Sequence, residues 1–245
     1  MRRLARAAAA LLLLAACRVE TTVAVDADAD GSGRVQVEVA LDREAARRVP
    51  DLAGQLRVDD LRAAGWEVER PQRADGGGLT VRLAKPYRTP AEAVEAIEEL
   101  SGSNGPFRDF RLRRDRSFLR TTTAISGTVD LRGGLEAFGD EALREQLGGS
   151  LLGFDPAELE GQLGTPLSRV FAFRVVARLP GDVSSNAPST ADGDAVWRPL
   201  LGERVVLTAK AERWNVRNIA AATVSVAAAV GLGVVLVRRR SEPSR

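Results

Sequence analysis

Polar and apolar residues alternate over two early stretches of the chain. Val19, Thr21, Val23 and Val25 interleave with Glu20 and Thr22, and Val35, Val37, Val39 and Leu41 interleave with Arg34, Gln36 and Glu38. A period of two marks strands with one buried face, and the Asp- and Gly-rich stretch Asp26–Gly33 between them supplies turn residues, so a β-hairpin is predicted. Further strands are predicted at 66–70, 79–84, 107–113, 117–130, 168–179, 194–199 and 203–211. Phe171, Phe173 and Val175 fall on one face of their strand and Arg174 and Arg178 on the other, and most pairs should be antiparallel.

Helical signals sit between these runs. Thr89-Pro90-Ala91-Glu92 has the layout of a capping box with Pro at the first helical position, followed by Val94, Ile97 and Leu100 on one stripe and Gly102 as a stop. Asp155-Pro156-Ala157-Glu158 repeats the layout before Leu159 and Leu163, and weaker periodicity covers 43–64 and 134–147. The 16-residue stretch Pro180–Ala195, rich in Ser, Asp and Gly, reads as a mobile loop between two strands. Clusters of strands with helices inserted predict an α+β domain: a curved, mostly antiparallel sheet with helices packed on one face.

The two ends carry targeting signals. Residues 1–17 combine Arg2, Arg3 and Arg6, an apolar run from Ala7 to Leu14, and small residues before Cys17. This is the layout of a secretory signal, too short to span a bilayer. Leu14-Ala15-Ala16-Cys17 resembles the bacterial lipobox, which makes Cys17 the expected lipidated N-terminus; a plain signal peptide with an incidental cysteine fits the same residues. At the other end Ile219–Val237 is 19 residues without a charge, followed by Arg238-Arg239-Arg240. That predicts one transmembrane helix with a cytoplasmic tail at 238–245, and Trp214 placed for the headgroup interface. The expected division is thus a signal peptide at 1–17, an extracytoplasmic domain at 18–212, a membrane segment with its flank at 213–237, and the tail. Both ends of the domain should then stand at one membrane surface.

Composition narrows the chemistry. The chain has 245 residues with no His, and Cys17 is its single cysteine. Cys/His zinc sites, His-assisted nucleophiles and internal disulfides are therefore excluded. Arg outnumbers Lys 33 to 2, as in a GC-rich genome. Within 18–212 there are 26 basic and 32 acidic residues, a net charge of −6. The overall basicity therefore belongs to the targeting segments and gives a nucleic-acid partner no support.

Four groups of residues bear on chemistry. Asp26, Asp28, Asp30 and Gly31 resemble the opening of a calcium loop, but Glu38 falls one residue late for the closing ligand and a solvated hairpin turn wants the same residues, so no metal site is assigned. Arg108, Arg111, Arg113, Arg114, Arg116 and Arg120 are interleaved with Phe107, Phe110, Leu112 and Phe118. These arginines suit an anionic headgroup, or else the solvated face of a strand pair. Leu147, Leu151, Leu152 and Phe154 lie among glycines, as in a membrane-touching lid or in a tight connection whose apolar side chains fill the core. Glu92, Glu95, Glu98 and Glu99 read as the wet face of their helix rather than a catalytic pair.

Several of these residues together resemble the LppM-type lipoproteins of actinobacteria: the lipobox cysteine, Asp-Gly-Ser-Gly in the first hairpin turn (Asp30–Gly33), a late Trp-x-Pro-x-x-Gly (Trp197, Pro199, Gly202), Asn215 after the last strand, and a C-terminal apolar span. The resemblance implies a cell-envelope protein whose α+β domain binds lipids or lipid-linked glycans, with no catalytic residues. The expectation is therefore a non-enzymatic lipoprotein without a cofactor. Leu147, Leu151, Leu152, Phe154, Phe171 and Phe173 would contact lipid, and the six arginines would face the headgroup. The alternative is a scaffold that recruits another envelope protein through a sheet edge or the 180–195 segment.

Overall fold

The computed structural model describes residues 18–48, 58–74, 76–101, 105–134, 166–216 and 218. The predicted hairpin is present: β1 (Val19–Ala27) and β2 (Gly33–Leu41) pair in register from Val19 opposite Leu41 to Ala27 opposite Gly33. Its turn is a solvated one, closed by the Asp28 and Ser32 backbones and by Asp30 accepting from the Ser32 amide and hydroxyl. Gly33 admits no side chain, because a Cβ there would collide with the Asp26 carbonyl and with the Tyr87 hydroxyl that donates to it at 2.7 Å.

Two short helices, α1 (Arg43–Arg48) and α2 (Val58–Ala63), stand where weak periodicity was read. Next come β3 (Glu67–Val68), β4 (Gln72–Arg73), β5 (Leu79–Tyr87) and α3 (Pro90–Ser101). The cap of α3 forms as the sequence predicts, with Thr89 accepting from the Glu92 amide, although the Glu92 carboxylate reaches back to Arg88 rather than Thr89. Glu99 is not simply wet: it accepts from the indole of buried Trp66 and pairs with Lys85 at 2.6 Å, clasping α3 to β5.

The rest is strand: β6 (Phe107–Arg116), β7 (Arg120–Asp130), the one-turn helix α4 (Leu167–Val170), β8 (Phe171–Arg178), β9 (Asp182–Ser185), β10 (Ser189–Ala191), β11 (Asp194–Trp197) and β12 (Arg204–Trp214). One sheet runs β10-β11-β8-β1-β2-β5-β3, with β4 also on β5; a second runs β6-β7-β12-β9. All pairs are antiparallel except β1 with β8.

This corrects the α+β expectation. The described residues are mostly β, in two sheets that close on one core, and they form no single curved sheet roofed by helices. The reason lies in β7 and β12, each eleven residues long with alternating burial: Ile125, Val129, Leu207, Ala209 and Ala211 form an apolar face broad enough to cover the first sheet. They close one core with Val23, Val25, Val35, Phe173, Val175 and Trp197, while α3 adds Ala93, Ala96 and Ile97. No helix among the described residues is long and apolar enough to cross a membrane. The expected span Ile219–Val237 and the helices read at 134–147 and 155–163 lie outside the described residues, as do Cys17, Leu147, Leu151, Leu152 and Phe154.

The 180–195 stretch is not a plain loop. Its β9 forms an edge of the second sheet and its β10 an edge of the first, and Asn186 marks the crossing. The Asn186 carboxamide accepts from the Thr208 amide at 2.9 Å and the Trp197 indole at 3.0 Å, and donates to the Val206 carbonyl at 2.8 Å. It thus supplies partners for polar groups of both sheets, including that of a nearly fully buried tryptophan. Asn186→Ala leaves that indole unpaired and is expected to cost about 2–3 kcal/mol. Thermal and urea unfolding check this, and a loss below about 0.5 kcal/mol would contradict the role.

Candidate functional site

The six arginines do not form one patch. β6 carries a bulge between Arg108 and Arg111, centred on Asp109, whose φ of 53° lies in the left-handed region. The extra residue turns both Phe107 and Phe110 inward, where they meet edge to face with centroids 6.2 Å apart, and Phe107 also meets Phe173 at 6.0 Å. Gly127, opposite, leaves room for the Phe110 ring. Beyond the bulge, alternation sends Arg111 and Arg113 to the outer face with Arg108, and sends Arg114 and Arg116 to the inner face. Arg120 lies on the outer face of β7.

Arg114 and Arg116 follow Leu112 along the inner face, past the point where the core ends. There they line a cleft of about 710 Å³ at one end of the sandwich, together with Ala29 and Asp30 of the β1–β2 turn, Thr121, Arg213, Trp214, Asn215 and Asn218. Arg114 is fixed to the turn, its Nε donating to the Ala29 carbonyl at 3.1 Å while its side chain packs against Gly31, whose φ is 98°. Arg116 and Arg213 share one cross-strand row, both opposite Thr121. Neither has a hydrogen-bond or ion-pair partner among the described residues. Asp30 is the one acid of this lining, and hydrogen bonds from Ser32, aided by Arg114, hold its carboxyl below the ordinary range.

Asn215 ties this end together. Its amide donates to the Leu119 carbonyl, its side chain donates to Ser117 and accepts from the Thr121 hydroxyl, and Asn218 donates to Phe118. The β6–β7 turn is thereby stapled to the end of β12. As a result Phe118, Leu119, Trp214 and Val216, four of the six exposed large apolar residues among the described residues, gather around the cleft mouth. On the outer side Arg120 stacks over Trp214 at 4.6 Å and pairs with Glu212, which also accepts from Lys210 at 2.6 Å.

Phe171 and Phe173 lie elsewhere. Phe173 is core, and Phe171 lines a smaller cleft of about 320 Å³ at the opposite end, with Arg18, Glu20, Arg174, Arg198 and Leu200. The expected single pocket combining these rings with the arginine cluster is therefore divided between two ends. The same geometry sets the two ends of the described domain apart along β1. Arg18 sits by the small cleft, whereas Trp214 and the far end of β1 sit by the large one, and the eight residue steps of β1 separate the two by about 26 Å.

Arg213, Asn215 and Asn218 were not read as site residues. The signal was available for Arg213: the alternation Leu207, Ala209, Ala211 continues to it, because β12 runs to Trp214 and past the boundary read at 212. The asparagines act through the fold and leave no pattern in the chain. No group of metal-ligating side chains occurs among the described residues.

No protein-family model matches the chain, and no curated protein matches it. Among solved structures, the folded domain of the Mycobacterium tuberculosis LppM protein, determined by NMR, is similar at 13% identity and a TM-score of 0.41, over 83% of this chain and 93% of that one.

The Glu212 carboxyl is also held low, first by the Lys210 hydrogen bond and then by the Arg120 charge. A group that ionises more readily when folded contributes fully above the ordinary carboxylate range and loses that contribution as pH falls from there through its lower folded-state value. With no His in the chain, Trp214 emission should stay level from about pH 5 to 8 and change only below the ordinary carboxylate range, as Glu212 protonates and releases Arg120. Trp66 and Trp197 are buried and Trp214 is exposed, so the acrylamide-quenchable part of the emission reports the Trp214 indole, and a transition centred near neutrality would contradict this assignment.

Proposed function

We propose that this chain is a non-enzymatic cell-envelope lipoprotein, tethered outside the cytoplasm through Cys17, whose β-sandwich engages membrane lipid or glycolipid with the end that carries Trp214. The observation that carries this reading is the gathering of Phe118, Leu119, Trp214 and Val216 around an arginine-lined cleft. Solvated domain ends do not usually concentrate apolar side chains, whereas an interfacial surface pairs them with cations for headgroups. The net charge of −6 over 18–212 does not oppose this, because the cleft lining sets Arg114, Arg116 and Arg213 against the single acid Asp30 and the local field is positive.

The tether and the docking end lie at opposite ends of β1. For both to touch one bilayer, the long axis of the sandwich lies along the surface rather than upright.

A Phe118→Trp, Trp214→Phe protein reconstituted in vesicles with brominated acyl chains tests the docking. The emission contributed by residue 118 should be strongly quenched at the acyl boundary, over a constant background from Trp66 and Trp197, which stay shielded in the core. Emission equal to that in unbrominated lipid would remove the lipid-surface reading.

A further inference from the structure

The large cleft holds two guanidinium groups without partners in an arrangement that suits one compact anion. Arg116 and Arg213 flank Thr121 in the same row, so their Cα atoms are two strands apart, about 9–10 Å. Side chains of this length leaning toward each other across the row can close on one group between them. The Thr121 hydroxyl is engaged with Asn215, which keeps the floor fixed, and one row deeper the Thr123 hydroxyl is buried with no partner among the described residues. Arg114 adds a third cation held by the turn, and Asp30, kept ionised by its hydrogen bonds from Ser32, is the single anion of the lining against these three cations.

We propose that Arg116 and Arg213 together bind the phosphate of a phosphomonoester, with Arg114 as a flanking charge. A carboxylate or a phosphodiester offers two charged oxygens, enough for one fork, whereas a phosphomonoester offers three non-bridging oxygens and up to two charges to be shared between two. The shared chemistry admits a lipid headgroup or a soluble phosphoester, and the site deepens the lipid-surface reading by giving the docking end a specific ligand group. Outer-face Arg111 and Arg113 carry the same charge on the same strand without facing the cleft, so they serve as the internal comparison.

The test uses the full chain in phosphatidylcholine nanodiscs, titrated calorimetrically with inorganic phosphate and glycerol 3-phosphate, and in a second arm with phosphatidate built into the disc. Arg116→Gln with Arg213→Gln should weaken phosphate binding by roughly a hundredfold, about tenfold per fork, while Arg111→Gln with Arg113→Gln changes it by less than about threefold. Arg116→Lys with Arg213→Lys should recover only part of the affinity, since an ammonium keeps the charge but not the fork. Tighter capture of phosphatidate than of glycerol 3-phosphate assigns the headgroup, and equal capture assigns a soluble phosphoester. Equal losses in the inner and outer pairs, or no phosphate binding by the unaltered chain, overturn the proposal. In that event, persisting quenching at residue 118 leaves the lipid-surface reading standing.

Discussion

The placement of charge in this domain depends on one extra residue in one strand. Two sheets share a single dry core, so every residue of β6, β7 and β12 faces either that core or the solvent, and the parity of its position decides which. The bulge at Asp109 resets the parity of β6. With it, Phe107 and Phe110 both enter the core, where burying such a ring contributes about 1.5–3 kcal/mol. The shift also means that Arg114 and Arg116, rather than Arg113 and Asp115, continue the inner face beyond Leu112.

Two arginines on an inner face would be intolerable inside the core, where an unpaired charge cannot be solvated. They are tolerated because the sandwich ends there. At that end the first sheet contributes the β1–β2 turn and Pro180 just past β8, and the gap is the cleft. Asn215 and Asn218 then hold the β6–β7 turn against the exit of β12, so apolar side chains that could have turned inward remain on the rim. Cation, aromatic ring and open volume arise together from one geometric fact, the unequal reach of the two sheets.

Along the outer face of the first sheet the charges are paired. Arg174 meets Glu20 at 2.6 Å, Arg178 meets Asp26 and Asp194, and Arg82 meets Glu38 at 2.7 Å, which makes the outer face of the first sheet a ladder of opposite charges. Exposed pairs of this kind contribute little to stability individually, but they neutralise that face. The unpaired guanidinium groups of Arg116 and Arg213 stand out against it, and the domain is polarised along its length even though its net charge is small.

Period-two alternation made the hairpin, the long strands and the capped helix legible, because a strand with one dry face records its own burial in the sequence. The turn at Asp28–Ser32 and the start of α3 were legible for the same local reason: their hydrogen bonds close within a few residues. The pairing of strands into two sheets left no such record. Alternation says that a face is buried and not what buries it, so β7 and β12 could as well have lain beneath helices. Whether the six arginines acted as one group was likewise undecidable locally, since it turned on a single left-handed residue at Asp109 and on how far each sheet extends. Arg213, a hundred residues from Arg114 in the chain, reaches the same cleft only because β12 pairs with β7 in one particular register, and that register is fixed by the core as a whole.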